Sequence, residues 1–313
     1  MTYSRSKFIK GQNDKKIFLR IWDNVANPNG AVQIIHGMAE HSERYDEFAQ
    51  FLNRKGYIVY ADDHRGHGYS LEDGEVFGYI GENGFNHIVE DEKIISDLIK
   101  KKYEKLPLYI FSHSFGSFIG QEYIIRYSNN IDGIILSGSA KQDGIDVRAG
   151  SVLASIQNKF LNDKSEAKLI DKLSFGSFNK GIDNQTTKFD WLTRDQHTVE
   201  EYIADEFCGF ISPINFYHYL FKGFKDLYKP SRLDQISKEL PILVIAGDRD
   251  PVGKYGESVK ELHKQYQELG IENNTLKLFK NGRHEIVNET NKAEVFQYVD
   301  NWLSTEAINT FGK

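Results

Sequence analysis

The sequence predicts an α/β fold: a mostly parallel central sheet flanked by helices, with a helical segment inserted after the strand that ends near Ser137. Three observations predict it. Short apolar runs and segments of helical spacing alternate from residue 31 to 138, and the alternation resumes from 241 to 303. Between these blocks, from about 139 to 228, the alternation stops and the chain becomes helical and aromatic. Within the first block, the apolar run Leu108–Phe111 breaks into small residues around Ser114, then continues at helical spacing through Phe118, Ile119, Tyr123, Ile124 and Ile125. The expected division is a core formed by 1–138 and 229–313, with 139–228 as a cap or lid.

Taken in order, Lys7–Lys10 and Ile17–Trp22 read as two strands joined by the turn residues Gly11–Asp14, an N-terminal hairpin. Ala31–Ile35 is a buried strand. The segment Glu43–Leu52 has helical spacing and Gly56 stands where a helix C-cap belongs. Tyr57–Ala61 is the next strand, 84–104 a long helix, Leu108–Phe111 the strand before Ser114, and Asp132–Ser137 another strand. After the cap come strand Pro241–Ala246, helix 253–269, strand Thr275–Phe279 and helix 291–303.

Composition excludes several functions. The 313 residues are 40% hydrophobic, enough for a large core, and carry a net charge of −6. That charge argues against phosphate-backbone binding as the main task, which would need clustered Lys and Arg. With one cysteine, Cys208, neither a disulfide nor a Cys-based metal site is expected within the chain. The first ten residues lack the apolar centre of a signal peptide, and no apolar run approaches the roughly 20 residues of a membrane helix. A soluble cytosolic protein is the expectation.

Strand, sharp turn and helix with a serine at the apex is the arrangement of a nucleophile elbow, G-x-S-x-G, in which a strained backbone projects the side chain beyond the sheet. The positions two before and two after the apex must be small, and here they are Ser112 and Gly116. Ser112 departs from the usual glycine. Ser112 and Ser117 are rival nucleophiles by residue type, but each is preceded two positions earlier by a large residue, Ile110 or Phe115. Ser114 could also serve only as the N-cap of the following helix.

In open parallel sheets, ligands bind beyond the carboxyl ends of the strands. Gly247–Val252, with Asp248 and Asp250, follows one strand end, and Lys280–Glu285, with His284, follows the next. Ser114, an acid and His284 thus run in the order serine, acid, histidine. His36, His64, His67 and His113 also lie near strand ends, but they precede or adjoin the serine. A serine hydroxyl needs a base within reach, which His284 supplies, while an acid fixes the imidazole and stabilises its charged form. Asp250 is preferred to Asp248 because Pro251 starts the turn there, away from the strand edge. Backbone N–H groups of Phe115, at a helix N-terminus, and Met38, after His36-Gly37, are candidates for stabilising an oxyanion.

With these residues in place, the chain resembles the monoacylglycerol lipase and lysophospholipase group of α/β-hydrolases, a serine-aminopeptidase-like set. The resemblance covers roughly residues 15–305. It rests on His36–Ser42 with Arg44-Tyr45, Asp63–Gly68 with Ser70, the elbow, Gly247–Asp250 and Gly282–Glu285. It implies Ser114 as nucleophile, Asp250 as acid, His284 as base, and Met38 and Phe115 amides as oxyanion donors. It also implies a helical cap after the strand ending near Ser137, matching the aromatic insertion, and cleavage of carboxylic esters without a cofactor. Residue by residue, the aromatics between 175 and 224 are expected mostly to pack among themselves; as a set they are candidates for lining the substrate site. Through that cap, transient contact with a membrane surface is open. So are an aminopeptidase, with Glu40, Asp195 or Asp205 holding an amine, a thioesterase, and a non-catalytic binding protein. Dehalogenase and epoxide hydrolase chemistry needs a carboxylate at position 114. The run Asp63–Gly68 reads as a structural turn, since His64 and His67 lack a third ligand at metal-site spacing.

Overall fold

Runs that are apolar at every position become central strands, because only a strand buried on both faces tolerates that pattern. In the computed structural model, which describes residues 5–311, β3 (Gly30–Ile35), β5 (Leu108–His113), β6 (Gly133–Ser137) and β7 (Ile242–Gly247) are buried along their whole length. Eight strands form one sheet among the described residues, in the order β1-β2-β4-β3-β5-β6-β7-β8. The remaining four are β1 (Arg5–Lys10), β2 (Lys16–Trp22), β4 (Tyr57–Asp63) and β8 (Asn274–Phe279). β1 and β2 form the expected hairpin, and β2 pairs antiparallel with β4. Every pairing from β4 to β8 is parallel. The exposed edge strand β1 carries Arg5, Lys7 and Lys10, charges that discourage pairing with another chain.

The period of two along each strand sorts its side chains onto two helical layers. Ala31 and Ile35 of β3 and Leu108 and Ile110 of β5 join one core with α2 (Gly84–Lys102), α3 (Phe115–Tyr127) and α9 (Glu257–Glu268). Val32, Ile34, Tyr109 and Phe111 face the other layer, built from α1 (Asp46–Arg54) and α10 (Lys292–Phe311). Burying each large apolar side chain contributes about 1.5–3 kcal/mol, so the two cores together hold the sheet between its helical layers. α10 runs eight residues beyond the expected end at 303. No glycine or proline follows Leu303 until Gly312, so nothing in the sequence stops the helix at 303.

The segment between β6 and β7 is helical, as expected: α4 (Ile145–Phe160), α5 (Lys168–Phe175), α6 (Gln196–Ala204), α7 (Ile214–Leu227) and the short α8 (Pro230–Leu233). Rings anchor it to the sheet layer: Phe224 lies edge-on to Phe118 at 4.6 Å between centroids, and Phe216 packs on Phe115 at 4.9 Å. No helix among the described residues is long and apolar enough to cross a membrane.

Candidate active site

The turn between β5 and α3 forces Ser114 into φ 52°, ψ −120°, a conformation that costs a non-glycine residue about 1–3 kcal/mol. Its amide donates to the Ser137 carbonyl of the neighbouring strand at 2.9 Å, which holds the strained turn in place. Gly116 must be glycine: a Cβ there would lie 2.3 Å from the His36 carbonyl oxygen and 2.4 Å from that of Ile35. The departure at Ser112 is accommodated one turn further on. Its hydroxyl donates to the Ile135 carbonyl at 3.1 Å and occupies space that a Cβ on Gly120 would need, 2.6 Å away.

The loops after β7 and β8 bring their residues to this serine. His284 Nε2 is 2.8 Å from Ser114 Oγ, and its Nδ1 is 2.9 Å from Asp250 Oδ2. Both Asp250 and His284 are buried. The second Asp250 oxygen accepts from the Val252 amide at 2.9 Å, a bond made by the turn that Pro251 begins. Asp248 points elsewhere, accepting from the Asn281 amide at 2.7 Å. Burial by itself would push the His284 imidazolium down, but the Asp250 charge and hydrogen bond outweigh it, with Glu285 and Glu40 adding, and the pKa is raised. The neighbouring His113, ring centroid 4.8 Å from that of His284, is pushed down to about 3 by burial and by His284, so it remains neutral. A hydroxyl bonded to a buried imidazole, itself bonded to a buried carboxylate, can surrender its proton to that imidazole.

The loop after β3 carries the expected oxyanion donor, and its geometry is set by histidines whose role the sequence reading did not identify. His36 Nδ1 donates to the Gly37 carbonyl at 2.7 Å, while His36 Nε2 accepts from the His64 amide at 3.0 Å. That assignment is the neutral tautomer, and burial together with the charge of His64 holds the His36 pKa well below 6.5. A trans peptide whose carbonyl is pinned to one side points its N–H, that of Met38, to the other. The His36 carbonyl in turn accepts from His64 Nε2 at 3.1 Å, and the two rings stack at 3.8 Å. His64 Nδ1 faces Asp62 at 2.9 Å and Glu92 at 3.3 Å. Burial opposes its charge, but the two acids win and raise its pKa, so both ring nitrogens are donors. This third partner, Glu92, comes from α2, 28 positions from His64, a spacing that carries no motif. With no ring lone pair left, the Asp62–His64–Glu92 cluster is an ion-pair brace and no cation site. Phe115 opens α3, so its amide has no intrahelical acceptor.

A second network, spanning 241 residues, ties this loop to the base. Arg44 makes a bidentate pair with Glu285, 2.7 and 2.6 Å, beside His284, and a further bond to Glu40 at 2.6 Å. Glu40 also accepts from the Gly37 amide at 2.6 Å and the Tyr45 hydroxyl at 2.8 Å. The inserted segment joins in: the Glu285 amide donates to the Leu192 carbonyl at 2.7 Å, and the Trp191 ring lies 5.0 Å from that of His284. The motif residues Arg44 and Tyr45 were visible in the sequence; their distant partner was not.

Ser114, Phe115, Met38 and His284 open into a cavity of about 760 Å³ between the sheet end and the inserted helices. Its wall is chiefly apolar, with Val147, Leu153, Phe175, Trp191, Phe221 and Phe224 among its side chains. Of the inserted segment's aromatics, Phe207, Phe216 and Tyr219 are not on this wall; Phe216 instead packs at a tilt against Phe115.

Residues 26–291 match the model of the Hydrolase_4 family, described as serine aminopeptidase, S33. A monoacylglycerol lipase of Mycolicibacterium smegmatis is 27% identical over 94% of this chain and 94% of its own. The human monoglyceride lipase is 26% identical over 92% of this chain and 86% of its own. Among solved structures, a thermostable carboxyl esterase from Bacillus coagulans in complex with glycerol superposes with a TM-score of 0.88 at 27% identity, covering 98% of this chain and 99% of the esterase.

Proposed function

The chain belongs to the Hydrolase_4, or serine aminopeptidase S33, family of α/β-hydrolases, and we propose that it is a carboxylic ester hydrolase acting on monoacylglycerols, lysophospholipids or related acyl esters. The observation that carries the proposal is the chain of bonds Ser114–His284–Asp250 opening into an apolar cavity. The lipase and esterase relatives support the same reading.

In this reading His284 accepts the Ser114 proton as the hydroxyl oxygen attacks the ester carbonyl. The tetrahedral oxyanion lies against the Met38 and Phe115 amides, each worth roughly 2.7–4 kcal/mol in such sites. Asp250 holds the imidazolium, which then protonates the departing alcohol. Water, deprotonated by His284, attacks the acyl-enzyme and releases the carboxylic acid, restoring Ser114. The helices of 139–228 act as the cap, their apolar inner wall receiving the acyl chain.

Amide substrates bearing a free amine fit less well. Glu40, which lines the cavity, is committed to Gly37, Tyr45 and Arg44, and Asp195 and Asp205 are not on the cavity wall. None of the three is placed to receive an ammonium group beside Ser114. Exposed apolar side chains on the cap suit a lipid surface: Ile145, Val152, Ile156 and Phe160 form an exposed stripe on α4, with Leu169 on α5 and Leu173, which also lines the cavity. Assays of purified protein on monoacylglycerols and p-nitrophenyl esters of increasing acyl length, beside aminoacyl anilides, test the proposal. Turnover of the esters with inert anilides is the expected result. Faster anilide cleavage, or no turnover of any ester, contradicts it.

A further inference from the structure

Cys208, His41 and Asp205 have no part in the ester chemistry above, yet their donor atoms converge. His41 Nε2 is 2.7 Å from Asp205 Oδ2, and one donor atom from each of these residues and the Cys208 sulfur lie within 4.8 Å of one another. We propose that His41, Asp205 and Cys208 form a binding site for one thiophilic divalent cation of the zinc class.

The donor set is the first argument. One imidazole, one carboxylate and one thiolate is a borderline-soft combination that suits zinc, and three protein ligands leave a fourth position for water. Counting cysteines argues only against sites built from several thiolates; a mixed site needs one. The geometry is close to what a metal requires. Tetrahedral bonds of about 2.0 Å to nitrogen and oxygen and 2.3 Å to sulfur place ligand atoms roughly 3.3–3.6 Å apart. From 2.7 Å the imidazole and carboxylate would part by about 0.6 Å, and from a separation of at most 4.8 Å the thiol would close in by up to about 1.3 Å.

The setting is the second argument. Asp205 is already oriented: its other oxygen accepts from the Phe207 amide at 2.8 Å, the kind of outer bond that fixes a metal-binding carboxylate. The Cys208 amide donates to the Asp205 carbonyl at 3.1 Å, which keeps the two ligands on one turn. The Asp205 side chain is 30% exposed, giving an ion a path in from solvent. On binding, the thiol sulfur forms the metal bond and its proton leaves to solvent; no electron is transferred.

The position gives the site a consequence. His41 belongs to the loop that carries the Met38 amide, whereas Asp205 and Cys208 follow α6 of the insertion. Besides the His41–Asp205 contact, two bonds join these segments, from the Gly209 amide (3.0 Å) and the Tyr202 hydroxyl (2.9 Å) to the Ala39 carbonyl. A bound cation would replace the direct His41–Asp205 contact with a metal bridge that also takes in Cys208, between cap and oxyanion loop.

Cobalt substitution tests this on the full chain, freed of any affinity tag and stripped with a chelator. Titration with Co²⁺ is expected to saturate at one equivalent, with a sulfur-to-cobalt charge-transfer band in the near ultraviolet and visible bands of tetrahedral intensity. Cys208→Ser abolishes the charge-transfer band and weakens binding at least about tenfold. Asp205→Asn, a change at a partly exposed side chain, weakens binding at least about tenfold and retains the band; it decides the matter should Cys208→Ser fail to fold. Absence of binding at one equivalent overturns the site. So does binding without a thiolate band, or binding that Asp205→Asn leaves unchanged.

Discussion

Replacing Gly116 by alanine tests how closely the elbow and the oxyanion loop depend on each other. The added Cβ would sit 2.3 Å from the His36 carbonyl oxygen, where carbon–oxygen contact needs about 3.3 Å. Both sides of the clash are backbone, so no side chain can swing away, and α3 and the end of β3 must separate by about 1 Å. These two elements carry the Phe115 and Met38 amides. A misplacement of about 1 Å in a reacting geometry costs about 10²-fold, so kcat on a p-nitrophenyl ester should fall about a hundredfold with KM changed far less. Stability should fall by about 1–3 kcal/mol through overpacking, with the protein still folded by circular dichroism. Gly120→Ala is the control. Its Cβ would meet the Ser112 hydroxyl at 2.6 Å, a side-chain atom that can rotate, and it lies away from both amides. It should lower the melting temperature while leaving kcat within about threefold, because the groups it displaces touch no reacting atom. Equal losses of kcat in the two variants, or a folded Gly116→Ala protein with wild-type kcat, would refute the reasoning.

Two further predictions concern the acid and the base. Asp250→Asn should reduce kcat by about 10⁴ by leaving His284 in the wrong tautomer. Asp248→Asn should leave kcat nearly unchanged, since Asp248 serves only the Asn281 amide; the reverse ranking would move the acid role to Asp248. The pH dependence follows from the raised His284 pKa. The imidazolium is stabilised by Asp250 and cannot accept a proton, so kcat/KM should be low in acid and rise with pH. Its half-point should lie above the ordinary 6.5. A half-point below 6.5, or a flat profile between about pH 5 and 8, contradicts His284 as the base.

Much of the site could be read from the sequence because its parts are local. A strand, a turn of small residues and a helix are consecutive around Ser114, and Asp250 and His284 each follow directly on an apolar run. The order of strands along the sheet was not readable in that way, because the antiparallel β2–β4 pairing depends on contacts between segments about 40 residues apart. Nor were the braces. Glu92 lies mid-helix and reads as one more acidic residue until folding places it at His64. The Arg44–Glu285 pair joins opposite ends of the chain. Ser112 looked like a defect in the motif, and its acceptance depends on Gly120, eight positions later and one strand–helix crossing away. Cys208 shows the limit of counting residue types, since His41 and Asp205 acquire meaning only beside it.

The most direct measurement is the mass of the intact protein after exposure to a fluorophosphonate, followed by peptide mapping. One adduct per chain, on Ser114, is predicted. Ser114→Ala should abolish it and lower kcat by about 10⁶, and His284→Ala should slow labelling severely without unfolding the protein. Labelling at another residue, or a folded Ser114→Ala protein that still turns over ester, would contradict the account.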